Sequence, residues 1–241
     1  MKISSLSLLT ILLSPLASAA TITWGSAFNF NHTDQSLFLN DFDASRNGGL
    51  TATSAVTLIS AIDYGHPDSG SSVILNGVQF VKSGGSRDFW GSTGIDPDID
   101  TVLSGHTATG GSFTQTLTGL TIGRIYQIQL IGIHDSRGGI NTRAYNVDNG
   151  EGDFTNAPVL TRGAYGNSNP ANPQPGYFGT VVGTFTADAI TQDITLNVNT
   201  GSDPGLSGYI LHETTSAVPE PSSVSLLGLG SLTLLLRRKR P

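Results

Sequence analysis

From Arg124 to His134 the chain carries apolar residues on both sides of an extended backbone. Tyr126, Ile128, Leu130 and Gly132 fall on one face, and Ile125, Gln127, Gln129, Ile131 and Ile133 on the other. Such a strand is expected to be central to a sheet. Weaker runs recur along the chain. Thr21 to Phe30 reads as a first strand with Trp24 and Phe28 on one face, and Phe38 to Gly49 as a polar loop. Val56 to Ile62 and Val73 to Val81 follow, the second holding Asn76-Gly77 as a bulge or turn. Short strands near Arg143 to Val147 and Val159 to Arg162 lead to Tyr177 to Ala187, Asp193 to Asn199 and Ser207 to His212. Periodicity alone predicts about nine or ten strands and no amphipathic helix in the body.

Composition narrows the class further. The 30 glycines, with abundant Ser, Thr and Asn, suit short strands joined by tight turns. Charged residues make up 12 % of the chain, about half the usual share. Because apolar alternation persists, this reads as an extracellular β scaffold and not as disorder. With no cysteine, a disulfide framework, a thiol nucleophile and thiolate zinc are all excluded. The expected fold class is all-β: a single antiparallel β-sandwich, jelly-roll-like, favoured over a seven-stranded sandwich by its length and by Leu206 to Leu211 returning to the core.

Both ends read as targeting segments around a single body, residues 20–217. Lys2, the apolar run Ile3 to Leu16 and Ala17-Ser18-Ala19 make a secretory signal helix, residues 1–19, cut by signal peptidase after Ala19 or after Ala20. An uncleaved anchor is the alternative, against which the short apolar run argues. At the other end, residues 218–241 hold Pro219-Glu220-Pro221, an apolar helix over 222–236, and Arg237, Arg238, Lys239 and Arg240. The prolines mark a stiff boundary. Fifteen helical residues reach about 22 Å against roughly 30 Å of bilayer core, a short transmembrane helix with its basic end cytoplasmic. The alternative, a buried C-terminal helix, fits poorly with four terminal cations.

This order of Pro219, Glu220, Pro221, a short apolar helix and a basic end resembles the PEP-CTERM sorting signal of bacterial surface proteins. The resemblance covers roughly a tenth of the chain. It implies a transient hold in the inner membrane of a Gram-negative-type bacterium, recognition of Pro219 to Pro221 by an exosortase, and release or anchoring of the ectodomain at the cell surface, in an exopolysaccharide-rich matrix. In the body, Leu117-Thr118-Gly119-Leu120, Gly123 and Tyr126 are similar to the turn-and-strand entry of fibronectin type III and galactose-binding-like jelly rolls. That likeness implies architecture and no activity.

The body carries seven basic residues, Arg46, Lys82, Arg87, Arg124, Arg137, Arg143 and Arg162, against seventeen acidic ones, a net charge near −10. Nucleic acid is thereby excluded as a partner. No G-x-S-x-G, H-E-x-x-H or P-loop pattern occurs, and the body's only glutamates are Glu151 and Glu213. A non-enzymatic role is expected. Asp96, Asp98 and Asp100 alternate through a Pro-containing loop and could offer oxygen ligands to Ca²⁺, with Asp63 or Asp68. They lack the EF-hand glycine and glutamate, and turn-capping aspartates are the commoner explanation. No other cofactor is expected.

The densest polar cluster is His134-Asp135-Ser136-Arg137 with Arg143, Asp148 and Asp153. Asp135, Arg137 and Arg143 could bond sugar hydroxyls while Trp90 or Tyr165 stacks on a pyranose face. The alternatives are an ion pair holding the loop 135–142, a satisfied strand-end His134, and Trp24 and Trp90 as core residues. The segment Gly163 to Gly176, rich in Asn and Pro, is either functional or disordered. The sequence therefore predicts an exported, exosortase-sorted envelope protein with a non-catalytic, carbohydrate-binding sandwich. A ligand-free structural protein and a polysaccharide hydrolase or lyase are the alternatives.

Overall fold

The computed structural model describes residues 20–30, 35–39, 55–64, 73–83, 87–88, 96–103, 105–135, 143–161, 163–164 and 178–215. The signal segment and the sorting tail lie outside them. Among the described residues the chain forms β1 (Thr23–Trp24), β2 (Phe28–Phe30), β3 (Ala55–Asp63), β4 (Val73–Leu75), β5 (Val78–Lys82) and β6 (Arg87–Asp88). Then come α1 (Pro97–Leu103), β7 (Gly105–Ala108), β8 (Ser112–Thr118), β9 (Ile125–Gly132), β10 (His134–Asp135) and β11 (Ala144–Val147). The last are β12 (Val159–Thr161), β13 (Gly163–Ala164), β14 (Phe178–Thr186), β15 (Thr191–Thr200) and β16 (Gly205–Thr215). These sixteen segments exceed the expected strand number because several have only two or three residues, too short to show periodicity.

The strand with two apolar faces, β9, lies inside a 10-stranded sheet whose main order is β1-β14-β9-β16-β3-β5-β4. A 4-stranded sheet, β12-β11-β15-β8, packs on one face of it. The ladders are antiparallel except β3 with β5 and β10 with β13. Tyr126, Ile128 and Leu130 of β9 meet Leu117, Tyr145, Val147, Ile194 and Leu196 of the smaller sheet in the inter-sheet core. Tyr126 stacks on Phe185, with ring centroids 5.5 Å apart. Tyr64, just after β3, donates its hydroxyl to Gln115 Oε1 on β8, tying the edge of the smaller sheet to the larger one.

The opposite face of the large sheet carries a second core, which periodicity did not reveal. Ile131, Val182 and Ile210 point to that side and are covered by Phe38, Leu39, Phe80 and the α1 residues Ile99, Val102 and Leu103. Phe38 meets Phe80 edge to face at 6.1 Å. Leu39 donates its backbone N–H to Gln129 Oε1 at 2.8 Å, and Gln129 Nε2 donates to Thr180 Oγ1 at 3.1 Å. This accounts for Gln129 on a central strand, because its amide is satisfied inside the core.

Three expectations change. The first strand is broken: Trp24 pairs with Gly183 and Phe28 with Thr180, so four steps along one strand match three along the other. The extra residue reverses the pleat, leaving Trp24 against the inter-sheet core and Phe28 against the second. Of the two readings of Asn76-Gly77 the turn holds: with φ of 47° and 78° these residues make a two-residue turn, so the stretch read as one strand is the hairpin of β4 and β5. The segment carrying Asp96 to Asp100 is helix and not loop: Asp96 Oδ1 accepts the N–H groups of Asp98 and Ile99, and Pro97 opens α1. Seven residues are too few for their amphipathic period to stand out.

Candidate functional site

At one open side of the sandwich the β1 and β2 edge of the large sheet meets β12 of the small one. The break between β1 and β2 leaves a groove of about 430 Å³, lined by Trp24, Ser26, Ala27, Asn156, Pro158 and Val159. That volume falls within the roughly 300–1,000 Å³ of small-molecule sites. Each wall has a local cause. Gly25 donates its N–H to Val182 O at 2.8 Å, which turns the chain out of the ladder before Ser26. Asn156 takes a positive φ of 57°, a conformation that asparagine tolerates better than most residues, in the turn leading to Pro158.

Trp24 is fixed from two sides. Its Nε1–H donates to the carbonyl of Asp148 at 2.6 Å. Its ring also rests on Gly183, where any Cβ would collide with it. The Asp148 carboxylate in turn accepts three backbone N–H bonds, from Gly150 at 3.2 Å, Gly152 at 3.1 Å and Thr195 at 2.9 Å. Burial pushes this carboxyl above the usual range despite those bonds, and Asp193 nearby adds to the rise. Asp153 moves the other way, lowered by the backbone and side-chain hydrogen bonds of Thr155. The loop 148–153 is therefore a hydrogen-bonded frame behind the indole.

No lining residue named above is ionisable. The groove offers one indole, one hydroxyl, one amide and the small apolar side chains of Ala27, Pro158 and Val159, a set suited to a neutral polyhydroxylated ligand.

The residues singled out in the sequence distribute unevenly. Arg143 Nη1 pairs with Asp203 Oδ2 at 2.8 Å and donates to Ser202 O at 3.3 Å, fastening the corner between β15 and β16. Asp148 and Asp153 belong to the frame behind Trp24. Asp135 lies on β10, where its Cα pairs with Ala164, the chain neighbour of Tyr165. Trp90, Arg137, Tyr165 and Asp68 lie outside the described residues, as do Ala17, Ala19, Pro219 to Pro221 and Arg237 to Arg240. Asp96 Oδ2 accepts from Gln35 Nε2 at 2.7 Å while Oδ1 caps α1, so both oxygens are engaged, and Asp98 is exposed. Among the described residues no group of three or more His, Cys, Asp or Glu is placed to hold a metal ion. No helix among them is long and apolar enough to cross a membrane.

Ser26, Asn156 and Val159 were not foreseen. Asn156-Ala157-Pro158 is visible as a turn, but nothing local in the sequence places it beside Trp24.

Residues 217–240 match the family described as the PEP-CTERM protein-sorting motif. The match covers the tail and, of the body, only residue 217. It implies export, membrane-anchored sorting and processing by an exosortase. No curated protein matches the chain, and no solved structure matches it.

Proposed function

We propose that the body is a non-catalytic binding module for neutral polysaccharide, delivered to the cell surface or its matrix by the sorting tail, with the Trp24 groove as its contact site. The observation that carries this reading is the groove itself. It combines an immobilised indole with a hydroxyl and an amide and no charged wall. Stacking on the indole and hydrogen bonds to sugar hydroxyls need no proton transfer. Glycan hydrolysis or elimination needs ionisable groups facing the substrate. Asp148, whose carbonyl holds the indole, has its carboxylate spent on three backbone N–H groups. The excess of acidic residues in the body favours neutral over acidic glycans.

The detergent-solubilised full chain on a glycan array tests the reading, with Trp24→Phe and Asn156→Gly beside it. Asn156→Gly keeps the positive φ while removing the amide. Binding to neutral glycans that weakens in both variants is expected. Absence of glycan binding, or binding unchanged in both, contradicts the proposal.

A further inference from the structure

The sandwich has two ends, and the chain leaves through one of them. β16 stops at Thr215, where Thr214 pairs with Ile125 at the start of β9 and Thr215 with Ala55 at the start of β3. Thr186, at the end of β14, also pairs with Ile125. Only six residues, Ser216 to Pro221, separate this edge from the apolar run that begins at Ser222. Fully extended, they reach about 20 Å. A membrane that holds the tail must therefore lie within that distance of this end of the body.

Two loops project there. One joins β8 to β9 through Gly119 to Arg124, and the other leads from β14 to β15 through Ala187 to Ile190. They are bound to each other: Leu120 N–H donates to Ile190 O at 3.1 Å, Gly123 N–H to Ala187 O at 2.7 Å, and Ala187 N–H to Arg124 O at 2.9 Å. Thr121 is fixed by donating its N–H to the Tyr126 hydroxyl at 2.7 Å. On this rigid pair sit Ile122, 63 % exposed, and Ile190, 66 % exposed, the two most exposed large apolar side chains among the described residues. Arg124 stands beside them, its side chain 43 % exposed and 3.7 Å from Glu213.

Scattered exposed apolar side chains need no explanation. Two on interlocked loops, at the end from which the membrane-held tail departs, do.

We propose that this end is a membrane-contacting surface: Ile122 and Ile190 enter the headgroup boundary of the phospholipid bilayer that holds the tail, and Arg124 meets the lipid phosphates. The inference rests on the membrane-anchored sorting step. Contact of this kind supports a tail whose fifteen apolar residues span less than a full bilayer core. It also suits a temporary hold, because two isoleucines are too little for stable anchoring once the tail is cut.

The native chain has no cysteine, so single-site labels are clean. The full chain is placed in phosphatidylethanolamine and phosphatidylglycerol vesicles containing nitroxide lipids, with an environment-sensitive fluorophore on Ile122→Cys, Ile190→Cys or Gly110→Cys. Gly110 lies before β8 at the opposite end, with open space around it. The expected result is blue-shifted, lipid-quenched emission at positions 122 and 190 and water-like emission at 110. Insertion by about 5–10 Å is the depth such contacts reach. If the chain floats with the vesicles while all three labels stay water-like, the contact surface is overturned and the hold stands. If the chain does not float, both are contradicted.

Discussion

The hydroxyl of Tyr126 joins a loop, a strand and a neighbouring strand at once. It accepts the Thr121 N–H at 2.7 Å and donates to Glu213 Oε2 at 3.2 Å, while its ring packs between the sheets. This is the bond by which a tyrosine at a sandwich corner ties its strand to the preceding turn. Tyr126→Phe keeps the ring and removes the hydroxyl, so an unfolding titration is expected to show a loss of about 1 kcal/mol. Asp148 offers a test with pH. Its carboxyl is raised in the folded protein, so the fold binds this proton more readily than the unfolded chain. That contribution to stability is full below the ordinary carboxylate range and is lost as pH rises through the raised value. Asp148→Asn is expected to flatten that decline in melting temperature across the acid range. An unchanged slope would show that another group causes it.

At the scale of elements, the sequence was most legible where a segment declares its own conformation. β9 was readable because both its faces are apolar, and the Asn76-Gly77 reversal because few other pairs adopt two successive positive φ angles. α1 was missed, although Asp96-Pro97 is a cap-and-first-residue signature. The surrounding turn-rich composition masked it, and its apolar face becomes meaningful only against the second core. Asp96→Ala removes the cap on Asp98 and Ile99, and calorimetry is expected to register a loss of about 1 kcal/mol. Because both Asp96 oxygens already have partners, added Ca²⁺ is expected to leave the wild-type melting temperature unchanged; a clear rise would support the calcium reading. The broken first strand lay beyond sequence reasoning. Which face Phe28 takes depends on one extra residue opposite β14, and pairing register is a property of two segments.

For the whole molecule, the sorting motif was legible and the proposed contact surface was not. The sorting motif is a contiguous string of residues, whereas the groove joins Trp24 to Asn156 across the open side of a sandwich. Polar clusters drew attention to Arg143, which the fold uses to fasten a corner with Asp203. The surface proposed to contact glycan has no charge to advertise it. Its place follows from the layers: the small sheet covers the middle strands of the large one and leaves the β1 and β2 edge open beside β12. That edge lies at the side of the body and stays accessible whichever end faces a membrane. The most direct test of the central claim is co-sedimentation of the full chain with the exopolysaccharide of the cells that produce it, comparing wild type with Trp24→Phe and Asn156→Gly. The account predicts that the wild type pellets with the polymer, that both variants remain largely in solution, and that salt has little effect because the contact is uncharged. Equal pelleting of all three, or binding abolished by salt alone, would contradict it.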